Sequence, residues 1–145
     1  MAENGDWLRA RGIGRERFGT YLSEYLETLG FATQRTDSTE PLESHVRGHL
    51  ERMNPAVPPS AKELTFRLYP TSGGAALVWE GPTEVPAEDR GRLDRLAREI
   101  ATHLERTIAT ESHATAKVTR TVDARLPWQH DEPASPPPAA GTPAA

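Results

Sequence analysis

The chain has 145 residues, a length that fits one domain. It carries 21 acidic and 17 basic side chains and a formal charge of −4, a balance that argues against a dedicated nucleic-acid binder. The absence of cysteine excludes a disulfide framework, a thiolate metal site and a cysteine nucleophile.

No uncharged apolar run approaches the roughly 18–20 residues needed to cross a bilayer. The opening MAENGDWLRARGIG has neither an apolar core nor a small-residue cleavage site. The expectation is therefore a cytoplasmic protein with no membrane attachment. Of the 17 basic residues 15 are Arg, a skew that GC-rich coding produces, so a single arginine here is weak support for an anion site.

In chain order, residues 1–14 read as a flexible N-terminus, 15–126 as one α+β domain and 127–145 as a disordered Pro/Ala-rich tail. Phe18, Tyr21, Leu22, Tyr25, Leu26 and Leu29 make the stripe of an amphipathic helix, which Gly30 ends. Phe31 to Asp37 alternates like an edge strand. Ser38-Thr39-Glu40-Pro41 resembles a helix start, and Leu42, Val46, Leu50 and Met53 predict a second helix that Asn54-Pro55 closes. Pro55 to Ala61 is a rigid connector. Lys62 to Glu80 reads as a β-hairpin, with Leu64, Phe66 and Leu68 on one side and a turn at Gly73-Gly74. A third helix is expected from Pro86 to about Ala109, on the stripe Leu93, Leu96, Ala97, Ile100, Leu104 and Ile108. Ala114 to Val122 is rich in β-branched residues and predicts a last strand.

After its first helix this order matches the βαββαβ succession of a ferredoxin-like sandwich, two helices on one face of a four-stranded antiparallel sheet. The tetrapeptide His-Leu-Glu-Arg occurs at 49–52 and again at 103–106, which supports an internal repeat.

Chemistry-bearing patterns are sparse. His45 and His49, four apart on the predicted helix, are the weak candidates for a metal and would need His113 or Glu111 to complete a site. Their more ordinary reading is packing at the rim of a core. Glu99 and His103 form either a carboxylate–imidazole dyad or a routine i, i+4 pair. Gly73-Gly74 leads into a strand, not a helix, so it is a hairpin turn and not a phosphate loop. No catalytic residue and no cofactor is assigned.

The expected ligand or partner face is the open side of the hairpin, with Arg67, Tyr69 and either Trp79 or Val78. Such a face binds single-stranded RNA in some folds of this topology, but the glycine–aromatic signature is missing. A second copy covering it accounts better for the sequence. The expectation is a non-enzymatic interaction or regulatory domain, a homodimer or partner-binding protein associating through its sheet or first helix. The alternative is a small-ligand protein or enzyme with a cleft between sheet and first helix, lined by Arg67, Tyr69, Trp79 and His45 or His49. RNA binding is a third reading.

Overall fold

A computed structural model of the chain describes residues 6–111, 116–121 and 125–129. These form strand β1 (Asp6–Arg11), helix α1 (Arg15–Thr28), strands β2 (Phe31–Thr39) and β3 (Leu42–Leu50), and a 3-10 turn at Pro59–Ala61. The hairpin of β4 (Glu63–Thr71) and β5 (Gly74–Gly81) follows, then helix α2 (Ala87–Glu111), strand β6 (Lys117–Arg120) and a last 3-10 turn at Pro127–Gln129.

The six strands make one antiparallel sheet in the order β2-β3-β4-β5-β1-β6. Four consecutive strands pair as a meander, and the first strand of the chain then inserts between β5 and the last. Gly74 permits this insertion. A Cβ there would lie 1.8 Å from the carbonyl oxygen of Ala10, so only glycine lets β1 close onto β5.

Both helices pack on the same face. From α1 come Phe18, Leu22 and Leu26, from β4 Leu64, Phe66 and Leu68, and from α2 Leu93, Leu96, Ile100, Leu104 and Ile108, all buried in one core. At one end of this core an aromatic cluster surrounds Trp79. Trp7 and Trp128 each meet it edge-on with ring centroids 5.1 Å away, and Phe66 lies at 4.8 Å. The register of β1 shifts between Asp6 and Leu8, and the extra residue, Trp7, supplies one of these rings.

The structure corrects the sequence reading in five places. The sheet has six strands and an inserted N-terminal strand, so the fold is α+β but not a four-stranded ferredoxin-like βαββαβ sandwich. The expected second helix is β3, paired with β2 from Leu42 to Leu50. Its Leu42, Val46 and Leu50 are four apart, a spacing that also keeps side chains on one side of a strand, and Met53, which the helix required in its stripe, is exposed. Residues 6–11 of the expected flexible N-terminus form a strand buried between two others.

Finally, the chain still belongs to the fold at Pro127–Gln129, where Trp128 is among the largest fully buried side chains. Its indole nitrogen donates to the Asp94 carboxylate of α2 at 2.8 Å, which satisfies the one polar atom that its burial would strand. The two His-Leu-Glu-Arg segments are not a structural repeat, since one begins at the end of β3 and the other lies within α2. By contrast α1, the hairpin, α2 and the last strand occupy the places their patterns predict.

Candidate functional site

The face of the sheet opposite the helices carries no second layer among the described residues. Strand alternation decides what it presents. Because Val46, Phe66 and Trp79 are register partners in the core, their neighbours His45, Arg67 and Val78 line up on the open side. One row further along stand Glu43, Tyr69, Ala76 and Arg9.

These side chains are tied to one another. Arg67 Nε donates to Glu80 Oε2 at 3.0 Å, and its Nη1 lies 3.5 Å from Glu43 Oε1. Its guanidinium sits 5.3 Å from the centroid of the Tyr69 ring. Burial alone would lower the Arg67 pKa, but the hydrogen bond and charge of Glu80, followed by Glu43, outweigh it and hold the group above its ordinary value. Glu43 also meets His45 Nε2 at 2.9 Å. The Tyr69 hydroxyl donates to Asp6, a fully buried carboxylate whose other oxygen accepts from Arg9 Nε at 3.0 Å and Nη2 at 2.7 Å. The lattice runs from His45 to Arg67 by way of Glu43, across the Tyr69 ring and on through Asp6 to Arg9. Beneath it Ala76 and Val78 are buried although no helix among the described residues lies over them. The face is therefore ionic and pre-organised, not the apolar surface a hydrophobic dimer would show.

A second cluster holds the outer hairpin to the start of α1. Ser44, fully buried on the helix side of β3, donates to Asp37 Oδ1 at 2.5 Å and accepts from Arg15 Nη1 at 2.5 Å. Arg35 Nε reaches the same carboxylate oxygen at 3.3 Å, while its Nη1 donates to the Glu16 carbonyl at 3.1 Å. The Ser44 hydroxyl is the first cause that holds the Asp37 carboxyl below its usual pKa, and Arg35 and Arg15 add to it. Both β2 charges thus lie on the helix side of an outer strand, Arg35 mostly covered and Asp37 with 61% of its side chain exposed.

Between the helices, Tyr25 of α1 stacks on His103 of α2 with centroids 3.9 Å apart. Arg98, Glu99, Thr102 and Arg106 complete a shallow groove of about 310 Å³. Burial, then the Glu99 charge, raises the Tyr25 pKa; burial, then Arg106, lowers that of His103. The His103 Nε2 contact is with Thr107 Oγ1 at 3.0 Å, so the imidazole is engaged by a hydroxyl on its own helix.

Of the residues expected to share a site, Arg67, Tyr69, His45 and His49 lie on the open face, whereas Trp79 points to the core and Val78 takes its place. His49 is paired separately with Glu63 at 2.9 Å, beside a depression of about 330 Å³. His45 and His49 sit on one side of a strand, about 13 Å apart, and no group of three potential metal ligands occurs among the described residues. His113 and the Glu111 side chain lie outside them.

Among the described residues no cleft separates the sheet from the first helix. Phe18, Leu22 and Leu26 fill that contact, and a Cβ on Gly19 would come within 3.2 Å of Leu68. Sequence reasoning missed Asp6, Arg9, Glu43 and Glu80 on the open face, and Arg15, Arg35, Asp37 and Ser44 at the edge. The alternation Glu43, His45, Arg47, His49 was the available signal for the first set.

Comparison of the chain with protein-family models, with curated proteins and with solved structures finds no match. No helix among the described residues is long and apolar enough to cross a membrane.

Proposed function

We propose that this chain is a non-catalytic interaction domain that self-associates through its sheet. The observation that carries the reading is the asymmetry of cover. The aromatic stripe of α1, a rival docking element, is spent inside the molecule, with Phe18 fully buried and Tyr21 and Tyr25 packed against the core. The sheet, by contrast, keeps one face and the outer side of β2 uncovered among the described residues. Its side chains are already fixed by mutual ion pairs, so contact with a partner costs little further ordering.

The test is the solution mass of the full chain, by light scattering over a concentration series. A dimer or higher assembly supports the reading, and a monomer at every concentration removes it.

The small-ligand alternative loses its expected cleft but retains the groove between α1 and α2. Stacked Tyr25 and His103 with Arg98 and Arg106 form a wall suited to a small anionic aromatic. Movement of the His103 and Tyr25 ring resonances on titration with such compounds would favour it. RNA binding is not favoured, because Arg67 is already neutralised between two glutamates.

A further inference from the structure

The outer strand β2 pairs with β3 along all nine of its residues, and no other strand among those described lies on its far side. An open strand of this length is a template for another strand. What it would accept is written in its own sequence, Phe-Ala-Thr-Gln-Arg-Thr-Asp-Ser-Thr from 31 to 39.

Two copies of β2 brought together antiparallel about a two-fold axis normal to the sheet place residues of like parity opposite one another. With the axis at Arg35, two arginines face each other; with the axis at Asp37, two aspartates do. With the axis at Thr36, Arg35 of each copy stands opposite Asp37 of the other, Gln34 opposite Ser38 and Thr33 opposite Thr39. Every charge then has an opposite charge across the seam, which is the cross-strand arrangement that stabilises and not the like-charge one that repels.

The local structure prepares this register. Arg35 is held on the helix side by the Glu16 carbonyl and Ser44, and Asp37 accepts from Ser44, yet more than half of the Asp37 side chain remains exposed. On the open side Gln34, Thr36 and Ser38 are uncharged polar groups, so no like-charge pair arises there.

We infer that a second copy of this chain docks on β2, pairing antiparallel about Thr36 so that the two sheets become one. This rests on the self-association reading above and adds to it the edge, the partner strand and the register.

The chain has no cysteine, so thiol crosslinking reports position without background. In the full chain, Thr36→Cys lies on the axis, where opposite Cβ atoms are about 5 Å apart. It should give a covalent dimer under mild oxidation or with a short bis-thiol reagent. Gln34→Cys should not, because its own copy is about 13 Å away, but mixed with Ser38→Cys it should form the mixed dimer. Arg47→Cys, on the open face, is the reporter for face-to-face packing.

A charge test is independent of these. Arg35→Asp and Asp37→Arg each place like charges across the seam and should lower the solution mass, whereas an equimolar mixture of the two restores opposite charges and should recover the dimer. A stable dimer in which Thr36→Cys stays uncrosslinked and Arg47→Cys joins overturns the β2 register while leaving self-association standing. A monomer at all concentrations overturns both.

Discussion

At the scale of single residues, two titrating groups report on the packing of α1 against its surroundings. His103 lies under Tyr25 and beside Arg106, and both burial and the neighbouring cation disfavour its charged form. A ring titration followed by NMR should give a midpoint below the ordinary histidine value. Arg106→Ala should raise that midpoint only part of the way, since burial is the larger cause.

Because the folded-state pKa is depressed, protonation costs stability as the pH falls below the unfolded value of about 6.5. Asp37 has the opposite charge type but the same direction of shift. Its carboxylate contributes stability above the unfolded pKa of about 3.9, and loses it as the pH falls through the lower folded value. It is largely exposed and screened, so Asp37→Asn should cost about 1 kcal/mol or less at pH 7. The difference from the parent chain should close in acid, as urea midpoints measured at fixed protein concentration would show.

At the scale of elements, what was legible depended on whether a segment carries its own period. The run Phe18 to Leu29 and the stripe Leu93 to Ile108 fit only a helix, and Leu64-Phe66-Leu68 fits only a strand; the structure places all three accordingly. Leu42, Val46 and Leu50 fit both, and the deciding positions were the small ones between them. Ser44 and Gly48 are buried with the apolar residues, while Glu43, His45, Arg47 and His49 face the other way. Read with that alternation, the two histidines leave the core rim and join the open face, and the rest of the site follows from Arg67.

In strand β1 the bulge buries the neighbours Trp7 and Leu8 together and breaks the alternation, and the closing turn at Trp128 has only three residues. Each is placed by long-range contacts: Trp7 and Trp128 are held by Trp79, from the middle of the chain. The Trp128 contact predicts that Trp128→Ala should destabilise the fold by roughly 3–5 kcal/mol, the usual cost of removing a buried large aromatic. Removing the chain after Leu126 should have a similar effect, visible as a lowered denaturant midpoint. Asp94→Asn, which keeps an oxygen to accept the indole proton at 2.8 Å, should cost much less.

At the scale of the whole molecule, the inserted strand β1 joins elements that lie far apart in the sequence. β1 pairs with β5 on one side and with β6 on the other, so the interior of the sheet closes only when the N-terminal and C-terminal strands meet. The outer strand β2 has no such neighbour beyond β3 among the described residues, and its two charges, Arg35 and Asp37, are of opposite sign and flank Thr36. If a second copy docks on β2 as proposed, folding and association are linked by mass action, because such a docking draws on the folded state and not the unfolded one. Above the dissociation constant, each tenfold rise in protein concentration should raise the melting midpoint by about 2–3 °C, given the unfolding entropy of a chain of this size. Arg35→Asp should abolish that dependence while the chain remains folded, because it removes complementarity at the seam and leaves the core residues in place. A parent chain whose midpoint does not move with concentration would place its association, if any, outside the folding equilibrium and would count against the shared sheet.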